Sequence, residues 1–265
     1  MKIFISALLL LAVNFHVLSQ QHPLVGTWEM ISIKGVNASG EKFSNDTSSI
    51  REIKIITPTH YMLMAYDVEG DSLVFNRCYT GSVKFDGPNY HEYPILSSVT
   101  IFENVKTDYN WKVDHDKFSQ SGTIVRPDGN KIVLEEMLFK KHPATGGPNP
   151  AIGTWKLISS VYTTAEGTTH KDSNENLTAF HIITPTHWMY MSSRNKTFEH
   201  AMGGGYTKQS DKFLLTLDYA SFPKTLWGKT ETTNKVDGDT LTTKGISISQ
   251  DGKKFTWEDV YERLK

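Results

Sequence analysis

One cysteine, Cys78, stands in 265 residues. No intramolecular disulfide can form, so packing alone must hold the chain. The lone thiol is read as structural or incidental, with a catalytic role as the alternative. No Cys-x-x-Cys or His-Glu-x-x-His occurs, so the strong zinc patterns are missing. No Gly-x-Ser-x-Gly nucleophile elbow and no phosphate loop occur either. No motif asks for a cofactor. A required metal is not expected, although His60 could meet His187, His91, His115, His181 or His200 in space. Charge of one sign is not in excess: 28 basic and 29 acidic residues leave a formal net charge of -1. That gives no electrostatic case for nucleic acid. Helical periodicity beyond a single turn is also missing.

What is present is a repeat. Ile-Lys-Ile-Ile-Thr-Pro-Thr-His-Tyr-Met-Leu-Met runs from Ile53 to Met64, and Phe-His-Ile-Ile-Thr-Pro-Thr-His-Trp-Met-Tyr-Met from Phe180 to Met191. His60 and His187 end the shared hexapeptide, 127 residues apart. Gly26-Thr27-Trp28 recurs at the same offset as Gly153-Thr154-Trp155. Two motifs at one offset indicate tandem duplication. Later matches, such as Glu135 with Glu258, fall at 123. A hairpin four residues longer in the first copy accounts for the change, since loops tolerate insertion.

Residues 1–20 read as a secretory leader: Lys2, then an apolar run from Ile3 to Val13, then Ser19-Gln20. The run is too short and wrongly flanked for a membrane anchor. The expected location is periplasmic or secreted. Residues 21–140 form the first domain and 151–265 the second. Residues 141–150, with three prolines and two glycines, form the linker.

Short stretches rich in Thr, Val, Ile, Tyr and Phe recur with turn residues between them. Ser97 to Phe102, Gly122 to Arg126, Lys131 to Phe139, Phe213 to Tyr219 and Leu241 to Ser249 are read as strands. Asp128-Gly129, Asp251-Gly252 and Asp237-Gly238 are read as hairpin turns. The expected fold is all-β: two tandem antiparallel barrels of about eight strands each.

Gly-Thr-Trp resembles the Gly-x-Trp signature that opens lipocalin and other calycin barrels. The resemblance implies a tryptophan plugging one barrel end beneath a cation from the last strand. Lys140 would then cover Trp28, and Arg263 would cover Trp155, each contact worth about 0.5–2 kcal/mol. With the Thr-Pro-Thr-His strand, Gly203 to Tyr206 and the Val-Asp-Gly-Asp turn, nearly all of the chain beyond the leader resembles a lipocalin-like family of secreted Bacteroidota-type proteins. The first copy departs from it at Thr80-Gly81-Ser82 and Val83.

His60 and His187 are the first candidates for chemistry. Alternation puts His60, Met62 and Met64 on one face and Tyr61 and Leu63 on the other. Partial desolvation among methionines favours neutral imidazole, a ready base or donor. The other reading is structural, a histidine tying Thr-Pro-Thr to a neighbouring strand. Tyr90-His91-Glu92 is polar where the second copy has Phe213-Leu214-Leu215, so the first pocket is expected to be the more polar one. Tyr206, after three glycines, is a candidate proton donor. Lys106 and Lys229 are candidates for holding a carboxylate, or else surface ion pairs.

These residues suit elimination on a uronate-containing oligosaccharide, by a carbohydrate dehydratase or a polysaccharide lyase. His60 or His187 would be base or acid, Tyr206 or His91 its partner, and Lys106, Lys229 and Glu92 the substrate contacts. The two histidines could share one pseudo-symmetric site between the copies. The alternative is a lipocalin-like binder of a small apolar or amphipathic ligand, lined by Met62, Met64, Met189 and Met191. A filled, pocketless envelope module is a third reading.

Overall fold

The computed structural model describes residues 22–100, 104–141, 149–223 and 228–265. The proposed leader and most of the linker lie outside them, as do residues 101 and 102. The described residues contain strands and no α-helix.

The first barrel comprises β1 (Gly26–Val36), β2 (Lys42–Asp46), β3 (Ile50–Ile56), β4 (His60–Glu69), β5 (Ser72–Asp86), β6 (Asn89–Ser97), β7 (Lys106–Asp114), β8 (Lys117–Val125) and β9 (Lys131–Lys140). β2 and β3 share one edge of β1 and act as a single broken strand. β9 takes the other edge and closes the ring at eight.

The second barrel repeats this with β10 (Gly153–Thr163), β11 (Thr169–Ser173), β12 (Leu177–Ile183), β13 (His187–Arg194), β14 (Thr197–Gln209), β15 (Lys212–Leu215), β16 (Tyr219–Ala220), β17 (Lys229–Asp237), β18 (Thr240–Ile248) and β19 (Lys254–Arg263). β11 and β12 are the broken strand, and β10 pairs β19 to close. The extra length of the first copy lies in the β4–β5 hairpin, which runs to Glu69 and Ser72 where β13–β14 turns at Arg194 and Thr197. Both strands are lengthened, rather than the loop. Two expected strands differ in detail: β6 stops at Ser97, and Phe213 to Tyr219 is broken between Leu215 and Tyr219.

Each barrel is plugged by its tryptophan. The Lys140 ammonium lies 5.6 Å from the Trp28 ring centroid, and the Arg263 guanidinium stacks at 4.0 Å on Trp155. The indole N–H groups donate to Leu24 O and Ala151 O at 2.8 and 2.7 Å. Arg263 stacks the closer because its planar head lies flat on a ring.

Thr-Pro-Thr-His is a hairpin turn rather than a strand. The Thr57 backbone N–H donates to His60 O, and the His60 N–H donates back to Thr57 Oγ1. Thr184 and His187 repeat both bonds. From this turn, alternation sends Tyr61, Leu63 and Ala65 into the first barrel and Met62 and Met64 out of it.

The outward face meets its own counterpart. Ile53, Ile55, Met62, Met64, Tyr66 and Cys78 form one buried cluster with Phe180, Ile182, Met189, Met191, Ala201 and Tyr219. Thr27 meets Thr184 at 3.3 Å, and Thr57 meets Thr154 at 2.9 Å. Those two contacts exchange under the repeat. Phe75 stacks on its equivalent Phe198 at 5.6 Å, as residues on a pseudo-twofold axis do. The methionines therefore fill the contact between barrels and line neither interior. Cys78 is buried there, 3.4 Å from the Met191 sulfur, and burial pushes its thiol far up.

Met62→Ala and Met189→Ala should each cost about 2–5 kcal/mol in urea unfolding, since both leave cavities in one shared core. A loss below about 0.5 kcal/mol from either would sink that assignment.

Candidate functional site

The two interiors use equivalent positions differently. On β3, Lys54 points into the first barrel; on β12, its equivalent is His181. Glu52 is replaced by Ala179, Arg77 by His200, Glu92 by Leu215, Glu136 by Asp259 and Leu138 by Tyr261.

In the first barrel these side chains fill the core with a charge cluster. Lys54 Nζ lies 3.1 Å from Glu92 and 3.8 Å from Glu136, and Arg77 pairs with Glu52 at 2.8 Å. The Tyr90 hydroxyl donates to Glu92 at 2.6 Å. Burial pulls the Lys54 ammonium down, but Glu92 and Glu136 more than offset it and leave it raised. Three carboxylates face two cations. Burial, with Glu52 and Glu92 close by, pushes Glu136 well up.

The second barrel has shorter side chains at several of these positions and encloses a cavity of about 1040 Å³. Its walls include Tyr162, Trp188, Tyr190, Phe255, Trp257 and Tyr261. His181 stands among three of these rings, with centroids 5.5 Å from Tyr261, 6.0 Å from Trp188 and 6.3 Å from Tyr190. Both His181 ring nitrogens are buried and neither has a hydrogen-bond partner. Burial lowers its pKa to about 4, so it is neutral at physiological pH.

Asp259, from β19, accepts hydrogen bonds from Ser160 at 2.6 Å and Tyr261 at 2.9 Å. Burial raises its carboxyl above the usual range, opposed by those two donors. Nearer the hairpin ends, Arg194 grips Asp172 with two bonds of 2.7 and 3.0 Å and Glu199 with one of 2.9 Å. Ser192 lies 3.3 Å from His200. Exposed His170, Lys171, Asp251 and Lys253 form the cavity's outer rim. Among the described residues, no three His, Cys, Asp or Glu side chains are placed to hold a metal ion together.

The residues singled out in sequence are scattered. His60 and His187 are 7 % and 4 % exposed in the inter-barrel contact, outside both interiors. Their Nδ1 atoms lie 2.8 Å from Thr59 and 2.6 Å from Thr186. A packed core lies between the copies, where the two histidines could have shared one site. Tyr206 borders the second cavity, with its hydroxyl donating to Thr184 O at 2.7 Å. His91 turns outward, 2.9 Å from Thr107 O, while Glu92 turns inward to Lys54. Lys106 and Lys229 are exposed, Lys229 pairing with Glu231 at 2.8 Å, so neither reaches an interior. The first interior is the more polar one, as Tyr90-His91-Glu92 led to expect, but its charge cluster fills it; the open interior is the second one.

No protein-family model matches the chain, and no curated protein does. Solved structures give distant likenesses. A protein of unknown function from the DUF3598 family of Nostoc punctiforme is 14 % identical with a TM-score of 0.26, the match covering 91 % of this chain and 96 % of that one. Kievitone hydratase from Nectria haematococca is 9 % identical at 0.25, covering 93 % and 91 %. Transferrin binding protein B from Neisseria meningitidis is 7 % identical at 0.27, covering 90 % and 76 %. Likenesses this weak say nothing about activity.

His181 predicts an acid sensitivity. Its folded pKa of about 4 lies below the ordinary 6.5, so the unfolded chain takes up the proton first as pH falls. Stability from neutral His181 is complete above about pH 6.5 and is lost between about 6.5 and 4, about 3 kcal/mol in all. His187, also lowered to about 4, acts in the same direction. His181→Gln should flatten the acid limb of stability against pH. Titration of His181 near 6.5 by NMR would show that the ring is not desolvated.

Proposed function

We propose that the second barrel is the working site of the chain, binding a small amphipathic molecule and moving a proton on it. The reaction class is elimination or addition of water. The observation that carries this is His181, a neutral imidazole with two buried, unpartnered nitrogens in the wall of a cavity with tyrosines beside it. Leaving such a group unmet costs about 1–3 kcal/mol, and a ligand that reaches it supplies the partner.

In the forward direction the imidazole takes a proton from a carbon next to a carbonyl. The C–H electrons form the double bond, and the hydroxyl on the next carbon departs with its bonding pair. Tyr190 supplies the proton that makes it water, and the imidazolium returns its own to the tyrosinate. Burial keeps Tyr190 protonated, which suits the donor role.

A uronate-containing oligosaccharide is the finer version. Within the cavity its carboxylate would find a cation only at Arg194 or at the rim lysines, so a short fragment fits better than a polymer. The apolar leader and the repeated motif support a periplasmic or secreted member of the lipocalin-like Bacteroidota group, acting on such fragments in polysaccharide degradation. The aromatic walls also favour a second reading, binding without turnover.

Purified protein incubated with unsaturated and hydroxylated uronate fragments and small aromatic alcohols should develop new conjugated absorbance and lose or gain the mass of water. His181→Gln should lower the rate by about 10²–10⁴-fold, while His60→Ala and His187→Ala lower stability and keep turnover. Folded His187→Ala inactive beside an active His181→Gln would overturn the assignment. Binding of the same compounds without turnover would establish the second reading.

A further inference from the structure

The charges facing the second cavity do not balance. Asp259, Asp172 and Glu199 line it with Arg194, and that guanidinium is shared between the last two carboxylates. Asp259 has only hydroxyl donors, one on each oxygen, and no lysine or arginine among the described residues pairs with it. The rim adds His170, Lys171, Asp251 and Lys253, all exposed, with Lys253 paired to Asp251 at 3.5 Å. His181 and His200 are both shifted toward the neutral form by burial and supply no counter-charge.

The first barrel shows what this position ordinarily faces. There, Glu136 occupies the place of Asp259 and lies 3.8 Å from the Lys54 ammonium. In the second barrel the residue equivalent to Lys54 is His181, whose ring is shorter and uncharged. The lysine chain and its ammonium are thus replaced by cavity, while the carboxylate is retained. Tyr190, Tyr261, Trp188 and Trp257 surround that space, and aromatic faces attract cations.

We infer that the ligand of the second barrel carries a cationic group, an amine or quaternary ammonium, which sits against Asp259 where the first barrel places the ammonium of Lys54. Burial raises the Asp259 carboxyl, the two hydrogen bonds donated to it oppose that shift, and a ligand cation completes a pair that the chain leaves open. This rests on the second cavity being the ligand site, is independent of whether turnover occurs there, and selects a cationic ligand over the uronate fragment.

Isothermal titration with three indoles that differ in charge tests it: tryptamine, indole-3-ethanol and indole-3-acetate. Tryptamine should bind about tenfold or more tighter than indole-3-ethanol, with indole-3-acetate weakest. Asp259→Asn should remove the advantage of tryptamine and leave indole-3-ethanol within about threefold. His181→Lys, which restores the first barrel's internal cation, should abolish tryptamine binding by a separate route if Asp259→Asn fails to fold. Indole-3-acetate binding as tightly as tryptamine, or an unchanged ratio in Asp259→Asn, would overturn the inference and leave the cavity reading intact. Failure of all three to bind would overturn both.

Discussion

A strand in a closed barrel has two faces, and in this chain the outer face of the repeated hairpin is already committed. Met62, Met64, Met189 and Met191 pack together under a pseudo-twofold relation, and the threonines of Gly-Thr-Trp and Thr-Pro-Thr-His cross over to bond each other. An isologous contact requires the same patch twice, so identity between the copies is what such an interface demands. The sulfur-rich face adapts its shape to its own image. Once that face is used, the only surfaces left on these strands for chemistry are the two interiors.

The interiors then diverge through residue length and charge. The first is filled with Lys54, Arg77 and three glutamates among rings such as Tyr90 and Phe118. Removing one partner from such a cluster leaves a buried charge, which typically costs about 3–5 kcal/mol. Its members are therefore locked to one another, and a ligand would have to break internal pairs to enter. The second exchanges long charged chains for His181, Ala179 and Leu215 at the equivalent places. One carboxylate, Asp259, remains from the set, together with an imidazole that no neighbour satisfies.

Much of this organisation was legible from residue spacing. The barrels and their strand number follow from the repeat, turn chemistry and alternation, and the two tryptophan plugs from the resemblance of Gly-Thr-Trp to the lipocalin signature. The site was less legible. Both faces of Ile53 to Met64 are apolar, so alternation could pair His60 with the methionines and still not say which face looks inward. The visible clue lay at the second residue of the repeat, Lys54 against His181, where one copy has a long cation and the other a ring. Identity between the copies marked the interface; difference between them marked the cavity. Asp259, 13 residues beyond Ile246 in a stretch of alternating polar residues, carried no local mark. Its meaning came from closure, which sets β19 beside β10 and brings it to Ser160.

The division between the barrels also has a mechanical side. A neutral imidazole useful for proton transfer must stay desolvated and fixed, which means rigid walls around it. β12 and β13 carry His181, Trp188 and Tyr190 on their inner face and Phe180, Met189 and Met191 on their outer face. The outer residues are clamped against the filled first barrel. A cavity within a lone barrel would leave those strands supported from one side only. The packed first barrel supports the other side, so the wall that bears His181 is held while the space in front of it stays open. On this view the first copy, filled by charge pairs, is the brace for the second, and the interface between them is where the repeated hairpins match most closely.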